Sequence, residues 1–177
     1  MDVKSRHHLR SDAIGAIQED IETKLGVTVD ADSFEKVEFD DNDWNVVLVD
    51  GEPLVLYVDS ETQRASDESG GAATDEGEKP FLTVRGANEY PPTKRIVTVD
   101  TGAIQFVSNG ADVMRPGIVE ADEVIEEGDL VVISEEGHGK FLAIGRALAD
   151  GADMIGEDGR VVESIHHVGD DLYEMTI

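Results

Sequence analysis

Apolar residues change their spacing several times along this chain, and each change predicts a different element. Ile14, Ile17, Ile21 and Leu25 recur at intervals of three and four, the spacing that lines one face of a helix. Ser11 stands where an N-cap is expected and Gly26 where a helix stops, so an amphipathic helix of about four turns is predicted. In "SFEKVEF" the period drops to two. "WNVVLV" and "PLVLYV" then flank "DGE", two β-branched runs around a turn signal, which predicts a hairpin with Trp44 in the core. From Ser60 to Lys79 bulky apolar residues vanish. Such a stretch cannot bury enough surface to order itself and reads as a flexible acidic insertion. Apolar character resumes at "PFLTV", and Pro91–Pro92 mark a boundary near residues 91–94.

Beyond that boundary the strands are short and closely spaced. "RIVTV" predicts a strand, and Asp100 can cap a short helix over "TGAIQFVS", with Ala103, Ile104 and Val107 inward and Gly110 ending it. "DLVVIS" and "KFLAIGRAL" flank "EEGHG" as a second hairpin, and "VVESIHHV" and "LYEMTI" flank the turn "GDD". Five or six short strands with one helix after the first predict a small closed or nearly closed β-barrel. The expected fold class is α+β: a small N-terminal α+β domain over 1–92 followed by a β-barrel domain over 95–177.

Charge changes the picture of habitat more than that of fold. The 177 residues hold 40 Asp and Glu against 14 Lys and Arg, a net charge of −26. The acids are spread evenly: residues 1–94 hold 22 acids and 9 bases, residues 95–177 hold 18 and 5, and each part balances at −13. A uniformly acidic, lysine-poor surface stays solvated at molar salt, where the Debye length shrinks to ~3 Å. Adaptation to a salt-filled, halophilic cytoplasm is the expectation, with a functional acidic surface that mimics nucleic acid as the alternative. No run approaches the length of a membrane span, and "MDVKSRHHLRSD" lacks the apolar region of a signal peptide, so a cytoplasmic protein without membrane contact is expected. The absence of cysteine removes disulfides, thiolate chemistry and most structural zinc designs.

Candidate chemistry is sparse. No P-loop, GxGxxG, HExxH or Ser–His–Asp order occurs, so no enzyme, no cofactor and no metal is expected. His7 and His8 lack partners at metal-ligand spacing, and consecutive His166 and His167 point to opposite faces of a strand, so packing and surface roles are expected for them. "KSRHHLR" gathers Lys4, Arg6 and Arg10 in the one basic cluster of the sequence. A cationic segment ahead of a helix N-terminus opposes the dipole, which leaves a solvated tail or a phosphate-contacting arm. "GADVMRPGI", from Gly110 to Ile118, is a stretch almost free of acid in a strongly acidic chain.

Val99–Ile118, "GDLVVI", "FLAIGRAL" and "ESIHHVGDDLYEM" together resemble a PUA domain, the module named for pseudouridine synthase and archaeosine transglycosylase. Preceded by about 90 other residues and accompanied by no catalytic domain, it is similar to the malignant T-cell amplified sequence family, archaeal and eukaryotic proteins of the translation apparatus. The resemblance implies RNA binding by the first helix, its following loop and nearby strands, which here means Asn109 to Ile118. Within it, Gly110 and Gly117 would let backbone approach RNA closely, Pro116 would stiffen the turn, Arg115 would offer a fork to phosphate or base, and Met114 an apolar contact. Ala111, Asp112 and Ile118 complete the stretch, and Lys140 and Arg146 on the hairpin would be neighbours. A plain helix cap at Gly110 and a plain turn at Pro116–Gly117 are the alternative. The implied partners are ribosomal RNA or the acceptor end of tRNA on the small ribosomal subunit, in initiation or recycling, with a protein partner similar to density-regulated protein. An accessory RNA-binding subunit of a tRNA- or rRNA-modifying enzyme is the rival expectation.

Overall fold

The computed structural model describes residues 3–40, 44–59 and 78–175. The predicted insertion therefore lies outside the described residues except for its last two, which already belong to a strand. Two sheets account for the strands. The first is antiparallel, in the order β1 (Val3–His8), β2 (Phe34–Phe39), β3 (Asn45–Val49), β4 (Glu52–Asp59), β5 (Glu78–Leu82). Helix α1 (Ser11–Leu25) buries Ile17, Ile21 and Leu25 against it and ends at Gly26, as its spacing predicts. Its N-cap is Arg10, without a side-chain cap, so Ser11 is the first helical residue instead. "KSRHHLR" is not a tail: its first part is β1, the outer strand of the sheet.

A short helix, α2 (Val84–Glu89), follows β5, in a stretch for which the sequence predicts no element. Thr83 stops the strand by accepting the Gly86 N–H at 3.0 Å and donating its hydroxyl to Pro53 O at 2.9 Å. The helix then packs so closely on β4 that a Cβ at Gly86 would lie 2.1 Å from Leu54 O.

The second sheet runs in the order β7 (Val113–Met114), β11 (Arg160–His167), β10 (Phe141–Ala147), β9 (Leu130–Glu135), β6 (Ile96–Val99), β8 (Ile118–Ala121). Its outer strands β7 and β8 are joined by the single turn Arg115–Gly117, which curls the sheet into a nearly closed barrel. Val97, Val99, Val131, Ile133, Met154 and Val162 fill its interior. Strand β9 is apolar on both faces for a reason. Val131 and Ile133 point into the barrel, while Leu130 and Val132 join the cluster of the first sheet, together with Phe141 and Ile144 of β10. Polar contacts reinforce this junction. Asn88 of α2 exchanges two hydrogen bonds with the Phe141 backbone at 3.1 and 3.0 Å, and Arg85 donates to Met175 O at 3.1 Å.

Of the strand predicted over "LYEMTI", the described residues 172–175 do not form one. Residues 168–174 turn instead, because the Asp170 carboxylate accepts the N–H groups of His167 and Tyr173 and offers the backbone a local alternative to a ladder. Leu172 and Met175 are thereby carried into the core shared by the two sheets.

Candidate nucleic-acid interface

Asp100 opens the site by accepting the Ala103 N–H at 2.9 Å. A 3-10 turn, Thr101–Ala103, and helix α3 (Ile104–Ser108) follow. Val107 is buried and Ala103 and Ile104 pack against the barrel core, which leaves Phe106 on the opposite face, 58% exposed. Gly110 ends the helix at φ +92°, a conformation glycine adopts without strain. Met114, 49% exposed, follows on β7 beside Arg160 of β11.

The stretch between α3 and β8 is held down along its length. His167 lies against its start, with Nδ1 3.0 Å from Ser108 O. Asp112 accepts the Ser164 N–H at 2.8 Å and pairs with Arg160 at 2.8 Å. Arg115 donates from Nε to Asp153 O at 2.8 Å and from Nη1 to Asp158 O at 3.0 Å, while its own N–H donates to Gly159 O. Gly117 O accepts the Asp100 N–H at 2.9 Å, closing the stretch onto the start of the site. Two residues expected as contacts point inward: Ile118 is 5% exposed in the barrel core, and Arg146 is 4% exposed with Nη1 on Gly128 O. Ile118 turns into the barrel, and Arg146 is buried on the other side of β10, opposite Leu130, so the candidate face excludes them. Asn109, Ala111 and Pro116 are exposed.

The β9–β10 hairpin borders the same face. Glu136 accepts the Thr101 N–H at 3.1 Å, which brings the hairpin to the start of the helical segment, with exposed Lys140 beside it. The His138 N–H and, against some desolvation, that of Gly139 hold the Glu135 carboxyl below the usual carboxylate range and fix the turn. Behind the face, buried His166 accepts the Val84 N–H at Nε2, 3.1 Å away, and sits 2.7 Å from Asp170 through Nδ1. Burial opposes ionisation of Asp170, yet His166 and the N–H groups of His167 and Tyr173 hold its carboxyl below the ordinary range.

Lys4 and Arg6 lie on β1 of the other sheet, and Arg10 stands at the N-cap of α1. Arg6 forms two 3.0 Å bonds to Glu35, and Arg10 lies 3.6 Å from Asp12. Sequence reading missed Phe106 and Arg160. The first follows from the helical face opposite Ile104 and Val107; the second needs the β7–β11 register. Among the described residues no cluster of three or more His, Asp or Glu is arranged to hold a metal ion. No helix among them is long and apolar enough to cross a membrane.

A six-stranded, nearly closed barrel with a helix after its first strand defines a PUA-domain protein, and residues 95–169 match the PUA domain family. The chain is 37% identical over 133 residues to an uncharacterized protein of Methanocaldococcus jannaschii, covering 75% of this chain and 71% of that one. It is 33% identical over 102 residues to Translation machinery-associated protein 20 of Eremothecium gossypii, and 33% identical over 104 residues to Malignant T-cell-amplified sequence 1 of Danio rerio. It spans only 56% and 57% of the length of those two relatives. Solved structures agree over nearly the whole chain. A hypothetical protein of Pyrococcus horikoshii superposes with TM-score 0.74 at 29% identity, covering 98% of this chain and 100% of that one. A conserved PUA domain protein of Thermoplasma acidophilum gives 0.74 at 26% identity, covering 96% and 97%. The chain belongs to the PUA-domain proteins of the malignant T-cell-amplified sequence family.

Proposed function

We propose that this protein is a non-catalytic RNA-binding protein of the translation apparatus. Its RNA face is formed by Phe106, Asn109–Ala111, Met114 and Pro116, with Lys140 at the rim. The ligand is RNA of the small ribosomal subunit or the single-stranded acceptor end of tRNA. Support comes from relatives named for translation and from the chemistry of this face.

One observation carries the reading. Of the five Lys and Arg residues after position 94, Arg115, Arg146 and Arg160 are engaged with carbonyls or Asp112, and Arg95 pairs with Asp129 at 3.8 Å. Among the described residues Lys140 alone of the five carries no ion pair or hydrogen bond from its side chain, while Phe106 and Met114 stand exposed beside a rigid backbone. Such a face does not bind by neutralising many phosphates, which would fail at high salt. It binds by stacking, shape and hydrogen bonds, which persist there.

The experiment is binding of a tRNA ending in single-stranded CCA, and co-sedimentation with small ribosomal subunits, from low to molar KCl. Retained binding with a shallow salt slope is expected. Absence of binding to both, or a slope that implies many phosphate contacts, overturns the reading.

A further inference from the structure

His167 has two ring nitrogens in different surroundings. Nδ1 lies 3.0 Å from Ser108 O and 2.9 Å from Val168 O. Both neighbours are carbonyls, which only accept, so in the neutral ring Nδ1 carries the proton and Nε2 is left as an acceptor. Among the described residues Nε2 has no hydrogen-bond partner, yet no buried side-chain nitrogen or oxygen lacks one, so Nε2 reaches solvent.

What stands next to Nε2 is Gly110. A Cβ at that position would lie 2.8 Å from Nε2 and 3.1 Å from Cδ2, so any side chain there would crowd this edge of the ring. Gly110 thus does more than end α3 at φ +92°. It keeps a ring nitrogen open at the first turn of the loop, between Asn109 and Ala111. The electrostatic setting adds a reason for histidine. Other acceptors on this acidic surface are mostly carboxylates, which repel a phosphate backbone. A neutral imidazole nitrogen accepts a hydrogen bond without adding negative charge.

We infer that His167 Nε2 is a ligand-contacting acceptor for a neutral nucleotide donor, either a ribose 2′-hydroxyl or an exocyclic base amine. The inference rests on the RNA-binding reading above and adds to it a specificity-determining residue on β11, outside the 109–118 stretch. A 2′-hydroxyl donor would let this site distinguish RNA from DNA.

The test is a cycle between protein and RNA variants. The probe is a tRNA transcript ending in single-stranded CCA. Each of its last three nucleotides is replaced in turn by the 2′-deoxy form, or by a base lacking the exocyclic amine. One replacement should weaken binding by the parent protein about 3- to 10-fold, as loss of one hydrogen bond does. His167→Asn places an amide nitrogen where Nδ1 was, keeping the anchor to Ser108 while removing Nε2. It should bind the unmodified RNA more weakly by a similar factor and be indifferent to that same replacement. Coupling to a deoxy position identifies the hydroxyl, and coupling to a base change identifies the amine. A second measurement needs no variant: the Nε2 resonance of His167 in the parent should shift when the RNA is added. If the parent binds neither this RNA nor small subunits, the reading of function fails and the inference fails with it. If the parent binds RNA but no replacement couples to His167→Asn, or the Nε2 resonance stays still, the inference alone is overturned.

Discussion

The stretch 109–117 and strand β1 both hold cations against an acidic background, and they use them in opposite directions. Arg115 ties its loop to the carbonyls of Asp153 and Asp158, so the cation builds the surface and the exposed groups are Phe106, Asn109, Ala111, Met114 and Pro116. On β1 the cations point outward, and Arg6 is held by Glu35 across the strand pair. The difference teaches that position in the fold decides what a charge does. An edge strand needs charge to discourage pairing with other chains, whereas a preformed loop needs fixed donors beneath it.

The largest expected effect breaks the comparison on the loop side. Phe106→Ala removes the aromatic platform and should cost roughly 1–3 kcal/mol of RNA binding, about 5- to 150-fold in Kd, the usual worth of one stacked base. Because Phe106 is exposed, the thermal midpoint should stay unchanged. Equilibrium titration of the variant with tRNA, alongside a melting curve, decides it. Parental affinity in Phe106→Ala would remove the apolar face from the interface.

Arg115→Ala sharpens the same contrast. Two charge-assisted bonds to backbone carbonyls disappear, for about 1.5–3 kcal/mol of stability in a denaturant titration. RNA affinity should fall because the loop loosens, yet the slope of log K against log salt should not move. If Arg115 touched phosphate, that slope would drop by about 0.7. A Gly117→Glu variant is a poorer probe of the face, since a Cβ at Gly117 already meets Ala103 at 3.3 Å.

The same distinction explains how much was legible in the sequence. Elements set by local chemistry were readable: α1 from its apolar spacing, the β3–β4 hairpin from "DGE", the Asp100 cap and the Gly110 stop. What went unread or was misread depended on distant partners or on side chains competing with the backbone. Helix α2 has only six residues and a glycine within it, and Thr83 redirects the chain there by bonding to Pro53, thirty residues away. Asp170 overrides an alternating pattern that otherwise spells a strand. Within the candidate site the stretch was visible as a low-acid window, but the direction of each side chain was not. Arg115 meets Asp158 across 43 residues and Asp112 meets Arg160 across 48, and no local pattern announces either pairing.

Asp170 gives a smaller, pH-dependent effect on the support behind the loop. Its carboxyl is held below the ordinary range in the folded protein. A depressed folded value contributes stability that is fully present above the unfolded value, near 3.9, and is lost as pH falls through the folded one. Asp170→Asn should therefore be less stable than the parent by about 1–2 kcal/mol at neutral pH. The gap should close below about pH 4. A gap independent of pH would mean that the charge of Asp170 is not what matters.

The smallest expected effect lies on β1. Replacing Lys4, Arg6 and Arg10 together by alanine removes three of the 14 cations from the chain. If they formed an RNA arm, the salt slope of binding would fall by about 0.7 for each phosphate released. Arg6, however, is already engaged with Glu35, His8 approaches the same carboxylate at 3.9 Å, and Arg10 lies near Asp12. An RNA phosphate would have to displace those acids, and its own charge would meet Glu35 and Glu38 on the neighbouring strand. The triple variant should thus bind tRNA with a slope changed by less than one phosphate, below about 0.7. Its altered behaviour should show in self-association instead, because an outer strand stripped of its cations is a better template for pairing. Sedimentation at low and molar salt reads that outcome, and a fall in RNA salt slope by two phosphates or more would make β1 a second contact with RNA.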